Sequence, residues 1–281
     1  MLQRVRTVPA FGSFALLATC AGGQVGPEHA QDYRPASVTA APAPAPTSAP
    51  EAHRDDTPIY EPDPSGHAVA ILRANAPNIR YAALDAASCE AELGRREVPF
   101  VRAAATPGVL DPVRLRGPLH GVTIHSPLGP SAQERSLMEI FDCRLVLALD
   151  DFAAQVVGPR GVVEMTHLSA YRSRASYGCT PKYAGKQHCA ALAVDVAKFT
   201  RKDGSVLDVE RDFHGHPGQS SCTGGAHPNP PSPAAAELWG FVCDAAARGL
   251  FHVILTPNYN AEHHNHFHLE ITPDAGWMLI R

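Results

Sequence analysis

The chain has 281 residues, 24 Lys and Arg against 28 Asp and Glu for a formal charge of -4, and an apolar share of 44%. That length and apolar share support one sizeable domain with appendages. Lys and Arg nowhere gather into a run, so the electrostatic footprint of a nucleic-acid binder is missing and no nucleic-acid partner is expected.

The N-terminus reads MLQRVRTVPAFGSFALLATC. Arg4 and Arg6 precede an apolar run that ends in small residues, which is the layout of an export signal over residues 1–19. The run is too short to remain in a bilayer as a spanning helix. Its tail, Leu17-Ala18-Thr19-Cys20, resembles a bacterial lipobox, in which the cysteine is lipidated. Thr19 stands where Gly, Ala or Ser is usual, so plain signal cleavage is the alternative. Residues 20–65 are rich in Pro and Ala and cannot bury enough surface to offset their ordering entropy. They read as a tether between a membrane-held lipid at Cys20 and a domain working in the surrounding cell wall. The globular part is expected over 66–281, as a monomer.

Within it, the stretch SAQERSLMEIFDCRLVLALDDFAAQVVGPRG opens with Ser131 and Glu134 in capping-box spacing. It then sets Leu137, Phe141, Leu145, Leu149, Phe152 and Val156 on one stripe before Gly158-Pro159, which predicts one long helix. A second helix is predicted from Ser232 as N-cap and Pro233 in the first turn to Gly249 beyond the last. The runs GVTIHS, VVEMTHLSAYRS, ALAVDVAKF, VLDVERDF, FHVILTP and HFHLEI read as strands. Helices and strands alternate irregularly rather than as repeating βαβ units, which predicts an α+β fold with a mostly antiparallel sheet.

Setting Cys20 aside as the lipid carrier leaves an even set of cysteines, Cys89, Cys143, Cys179, Cys189, Cys222 and Cys243, suited to an oxidising compartment. Sequence alone does not fix their pairing; the favoured arrangement is Cys89 with Cys143, Cys179 with Cys189, and Cys222 with Cys243. A thiolate metal site would want Cys-x-x-Cys spacing, which the chain lacks.

The histidine cluster in NAEHHNHFHLEI raises the functional question. On a strand, His266 and His268 share one face while Phe267, Leu269 and Ile271 fill the other, which goes to the core. In KQHCAALAVDVAKF, Asp195 points opposite to Val194 and Val196, with His188 at the start of the strand. A carboxylate between valines is costly to bury unless something positive faces it. A catalytic zinc takes three nitrogen or carboxylate ligands and keeps a fourth position open. His188, Asp195 and one histidine of the C-terminal strand would meet that demand if the two strands are neighbours. The alternatives are a surface His-x-His pair and an Asp that accepts a backbone hydrogen bond. His264 and His252 read as surface or structural residues, and His167 as a neutral core histidine, with a place lining the same cleft as its alternative. Neither HExxH nor Gly-x-Ser-x-Gly occurs.

HCAALAVD followed by HHNHFHLEI resembles the zinc metallopeptidases that include D-alanyl-D-alanine carboxypeptidases, dipeptidases and the penicillin-insensitive murein endopeptidase. YNAEHHNHFHLEI, taken with SYGC and HCAALAVDVAKF, is similar to the bacterial extensin-like C-terminal domain over residues 85–281. The resemblance implies one Zn2+ held on the sheet by His188, Asp195 and His268, with His266 as the catalytic histidine and His263 orienting it. It also implies that the arginine of SAYR, Arg172, stabilises charge near the scissile bond. The extensin-like pattern reads Ser-Tyr-x-Cys-Arg, and if SYGCT is the counterpart, Thr180 replaces that arginine. Asn265 stands where an aspartate is common, and Cys189 where a small residue is usual. The implied activity is zinc-dependent hydrolysis of peptide bonds in peptidoglycan stem peptides or cross-links. The alternative is a non-catalytic, zinc-containing envelope lipoprotein that binds the cell wall, and the direction of Arg172 separates the two.

Overall fold

The computed structural model describes residues 75–174, 186–222 and 225–281, all within one unit, Asp55–Arg281. The expected export signal, Cys20, the linker, Cys179 and Thr180 lie outside the described residues. Two short helices come first, α1 (Pro77–Ala82) and α2 (Ala86–Arg95). The side chain of Asp85 caps α2 by accepting from the Ser88 N–H. Strands β1 (Phe100–Arg102), β2 (Pro112–Leu115) and β4 (Phe141–Asp142) make a small antiparallel sheet.

The larger sheet carries the site. Its strands are β3 (Thr123–His125), β5 (Val162–Ser169), β6 (Ala193–Arg201), β7 (Val206–Asp208), β8 (Val253–Leu255), β9 (Phe267–Glu270) and β10 (Leu279–Ile280). They lie in the order β10-β8-β9-β6-β5-β3, with β7 also paired to β6. The α+β reading holds, but the larger sheet is mixed rather than mostly antiparallel. Both outermost pairings, β3 with β5 and β8 with β10, are parallel. Returning to the sheet in the same direction needs a long connection. The chain supplies one through the helices between β3 and β5, and the other through β9 itself, which lies between β8 and β10 in sequence.

The long helix predicted from Ser131 to Val156 is broken. It becomes α3 (Pro130–Gln133), a 3₁₀ turn at Leu137–Glu139, strand β4, α4 (Cys143–Phe152), a π turn at Ala153–Val157 and a 3₁₀ turn at Gly158–Arg160. Local side chains compete with the helical ladder: Ser136 accepts from the Met138 N–H and Asp142 from the Arg144 N–H, each starting a new segment. Gly129, not Ser131, precedes the first turn, and Leu137 is 53% exposed rather than on the core stripe. The run VLDVERDF also divides, because Asp208 accepts from Glu210 and Arg211 N–H groups and starts helix α5 (Val209–Asp212). The second predicted helix is present as α6 (Pro233–Ala247), with Ser232 Oγ accepting from the Ala235 N–H and Gly249 at φ 63° after its end.

Alternation along β6 and β9 sends Val194, Val196, Phe267 and Leu269 into the core, and Phe199 joins them past a register shift in the β5–β6 pairing. There Phe199 meets Phe241 of α6 at 4.9 Å between ring centroids. The buried helix α4 adds Phe152, which packs edge-on to Phe251. The opposite face of the same two strands is left for polar groups. Disulfides join Cys89 to Cys143 and Cys222 to Cys243, as expected. Cys189 is also disulfide-bonded, and Cys179, the partner expected for it, is outside the described residues.

The Cys89–Cys143 link joins α2 to the start of α4 across a sequence separation of 54. Loop-closure entropy assigns such a link about 4 kcal/mol of stability. Replacing both cysteines by alanine should therefore lower the urea unfolding midpoint markedly, followed by circular dichroism; an unchanged midpoint would show that the link constrains nothing.

Candidate metal centre

β6 and β9 pair so that Asp195 sits directly across from His268. Facing residues of an antiparallel pair point to the same side, so a carboxylate and an imidazole are set side by side on the polar face. His188 arrives from a different kind of element, a 3₁₀ turn at Gln187–Ala190 that ends at Ala191 with φ 53° and leads into β6. All three residues are buried. His188 Nε2 lies 3.1 Å from Asp195 Oδ1 and 3.2 Å from His268 Nδ1, and His268 Nδ1 lies 3.1 Å from the same oxygen.

The outer hydrogen bonds decide which ring nitrogens carry protons. His188 Nδ1 faces the Ala170 carbonyl at 2.7 Å, which can only accept, so this nitrogen donates and Nε2 keeps its lone pair. His268 Nε2 faces the Glu270 carboxylate at 3.0 Å, so Nε2 donates and Nδ1 keeps its lone pair. Two imidazole lone pairs and a carboxylate oxygen then face one another in a buried space, an arrangement that calls for a positive charge among them. Three donors about 2.0–2.1 Å from a tetrahedral ion would stand roughly 3.3 Å apart. The observed separations fit a divalent cation bound by two histidines and one aspartate.

Where no cation stands among them, a proton on His268 takes its place. Burial opposes charge on His268, yet the hydrogen bonds to Asp195 and Glu270 raise it to about 9. Burial also works against the Asp195 charge, but His188 and His268 hold this carboxyl well below its usual range. His188, whose Nδ1 faces the Ala170 carbonyl, is instead lowered by burial. The pocket therefore favours one positive charge, and does so on the side backed by Glu270.

Arg172 points toward this centre. Its guanidinium pairs with Asp195 Oδ2, and its Nε–H donates to Ser169 Oγ at 2.8 Å. Ser169 in turn donates to Asp195 Oδ2 at 3.3 Å. One oxygen of Asp195 is thus held by Arg172 and Ser169, and the other is left to the imidazoles. Arg172 is 28% exposed and lines a cavity of about 480 Å³ that lies over the centre, together with Lys186, Tyr259 and Glu262.

His266 precedes β9 and turns its Nε2 to within 3.4 Å of Asp195 Oδ1, while its Nδ1–H donates to Asn265 Oδ1 at 2.8 Å. Burial pushes it down to about 4. His263 packs its ring 5.0 Å from that of His266 and edge-on to Tyr259. Its hydrogen bond goes to Asn260 Oδ1 at 2.7 Å rather than to His266, so it holds His266 by packing. Burial pushes His263 down to about 3. His264 is exposed near Glu210, and His252 is buried between Thr272 and Ala275. His167 is a fully buried core residue against Glu139 and Phe141, away from the cavity. Ser169, Lys186 and Glu270 were not singled out from sequence. Glu270 was within reach, because its two-residue spacing from His268 puts both on one strand face.

Residues 87–226 match the family model described as Extensin-like protein C-terminus. The matched stretch contains Arg172, His188 and Asp195 and ends before His263, His266 and His268. No curated protein and no solved structure matches the chain.

Equilibrium dialysis against Zn2+ should leave about one ion per chain on the parent, consistent with a three-ligand site. His188→Ala, Asp195→Ala and His268→Ala should each fall to background by elemental analysis, while His264→Ala retains the ion. Retention of zinc by His268→Ala at parental affinity would remove this residue from the ligand set.

Proposed function

Because the chain belongs to the extensin-like C-terminal family, we propose that its domain is a zinc-dependent hydrolase of peptide bonds in peptidoglycan stem peptides or cross-links. The observation that carries this reading is the convergence of His188 Nε2, His268 Nδ1 and Asp195 Oδ1 beneath an open cavity with His266 and Arg172 beside them. His188, Asp195 and His268 would hold the ion. When bound, zinc supplies Lewis acidity toward a carbonyl and acidifies a water.

His266 is the proton carrier in this scheme. Its Nδ1–H is committed to Asn265, so the Nε2 lone pair faces the reacting groups and can accept a proton from water and return it to the leaving amine. Arg172 keeps Asp195 Oδ2 occupied and stands in the cavity wall, where a guanidinium steadies a substrate carboxylate or a developing oxyanion. Lys186 adds a second cation to that wall, which suits stem peptides with their several carboxylates. The apolar floor from Val253, Leu255 and Leu279 suits short aliphatic side chains. A guanidinium turned toward the centre favours hydrolysis over wall binding alone. Export, lipidation at Cys20 and the Pro/Ala tether would hold the domain at the cell envelope next to this substrate. No helix among the described residues is long and apolar enough to cross a membrane.

Zinc-loaded mature protein incubated with isolated peptidoglycan should release or uncouple peptides, detected by mass spectrometry, and a chelator should stop the release. His266→Ala should keep its zinc and lose roughly 10²–10⁴-fold in rate, the range for a general acid–base group. Intact peptidoglycan after incubation with zinc-loaded parent would refute the hydrolase reading and leave a wall-binding module.

A further inference from the structure

Glu270 has entered so far only as the hydrogen-bond partner of His268, and it is 0% exposed. A carboxylate buried this deeply is costly unless it is paired and hydrogen-bonded. Among the described residues its ion-pair partner is His268, through Nε2 at 3.0 Å to Oε2. The same oxygen accepts from the Gln187 backbone N–H at 3.3 Å, and Oε1 accepts from Thr272 Oγ1 at 2.7 Å. On β6 its register partner is Ala193, a side chain small enough to leave room for the carboxylate.

The single oxygen Oε2 therefore touches both halves of the centre. It fixes the His268 ring so that Nδ1 faces inward, and it ties that ring to the backbone of the turn that carries His188 one residue later. We propose that Glu270 is a positioning residue of the metal centre: it sets the tautomer and orientation of His268 and holds the His188 turn against it. This inference rests on the metal-binding part of the proposed function. Outer carboxylates that orient a ligating histidine raise its basicity, and their loss costs 10–100-fold in metal affinity.

Glu270→Gln keeps a carbonyl oxygen for the His268 and Gln187 donors, removes the negative charge and puts an amide NH2 where an oxygen accepts from Thr272. With the full mature chain, Zn2+ affinity is read by competition with a chromophoric chelator, and the ligand field by the visible spectrum of Co2+-loaded protein. The expected result is a roughly 10–100-fold weaker Zn2+ affinity and shifted Co2+ bands, with the far-ultraviolet circular dichroism of the parent. Thr272→Val, which disturbs the same carboxylate at the oxygen away from the centre, should change both readouts much less. Parental affinity and spectrum in Glu270→Gln, or an equal loss in Thr272→Val, would overturn the proposal.

A measurement on the parent does not depend on whether any variant folds. Long-range proton–nitrogen NMR of the zinc-loaded protein should show the His268 proton on Nε2, and a proton on Nδ1 would overturn the proposal. A parent that takes up no zinc would overturn the metal reading and this inference together. A parent that binds zinc while Glu270→Gln matches it would overturn this inference alone.

Discussion

The pairing of Asp195 with His268 across β6 and β9 is the constraint on which the rest depends. Because side chains alternate along a strand, that one register decides two things. It sends Val194, Val196, Phe267 and Leu269 to the core and leaves the carboxylate and the imidazole on the other face. A slip by one residue would bury His268 among phenylalanines and expose Phe267 to the cavity. The hydrophobic core and the polar centre therefore specify each other, and the apolar packing of Phe199, Phe241 and Phe267 holds the site's geometry at a distance.

Around that pair the charges are shared out oxygen by oxygen. Asp195 Oδ2 belongs to Arg172 and Ser169, while Oδ1 faces His188, His268 and His266. Beyond His268, Glu270 supplies a second buried negative charge. Among the described residues, the buried carboxylates of Asp195 and Glu270 meet one guanidinium, a shortage of positive charge reflected in the elevation of His268 to about 9. A divalent cation removes the shortage without a proton. Asp195 and His268 sit on strands, elements that hold geometry well, whereas His188, His263 and the rim residue Glu262 come from 3₁₀ turns.

Much of this was legible in the sequence because it rests on period-two alternation, which survives in β6 and β9. The His188, Asp195 and His268 grouping followed from that alternation together with motif resemblance. The capped helix α6 was legible for the same kind of reason, since Ser232 and Pro233 mark its start locally. The long helix failed because its apolar stripe was read through Ser136 and Asp142, whose side chains start new segments instead. Strands β1, β2 and β10 are short, and β1 and β10 lack buried residues, so they carry no pattern to read. His188 was expected at a strand and sits on a 3₁₀ turn. The spacing puts Glu270 on the strand face of His268, but an acidic residue at a strand end is ordinarily solvated, and its burial appears only in the fold.

The family match covers the half of the centre that contains Arg172, His188 and Asp195, and the fold brings the C-terminal strand to it. The central claim is that imidazole nitrogens and a carboxylate oxygen from these distant segments share one ion. X-ray absorption at the zinc edge of the loaded protein tests this most directly. The account predicts a first shell of nitrogen and oxygen at about 2.0–2.2 Å with the multiple-scattering signature of imidazole. A sulfur shell near ~2.3 Å, or a shell without imidazole scattering, would contradict it.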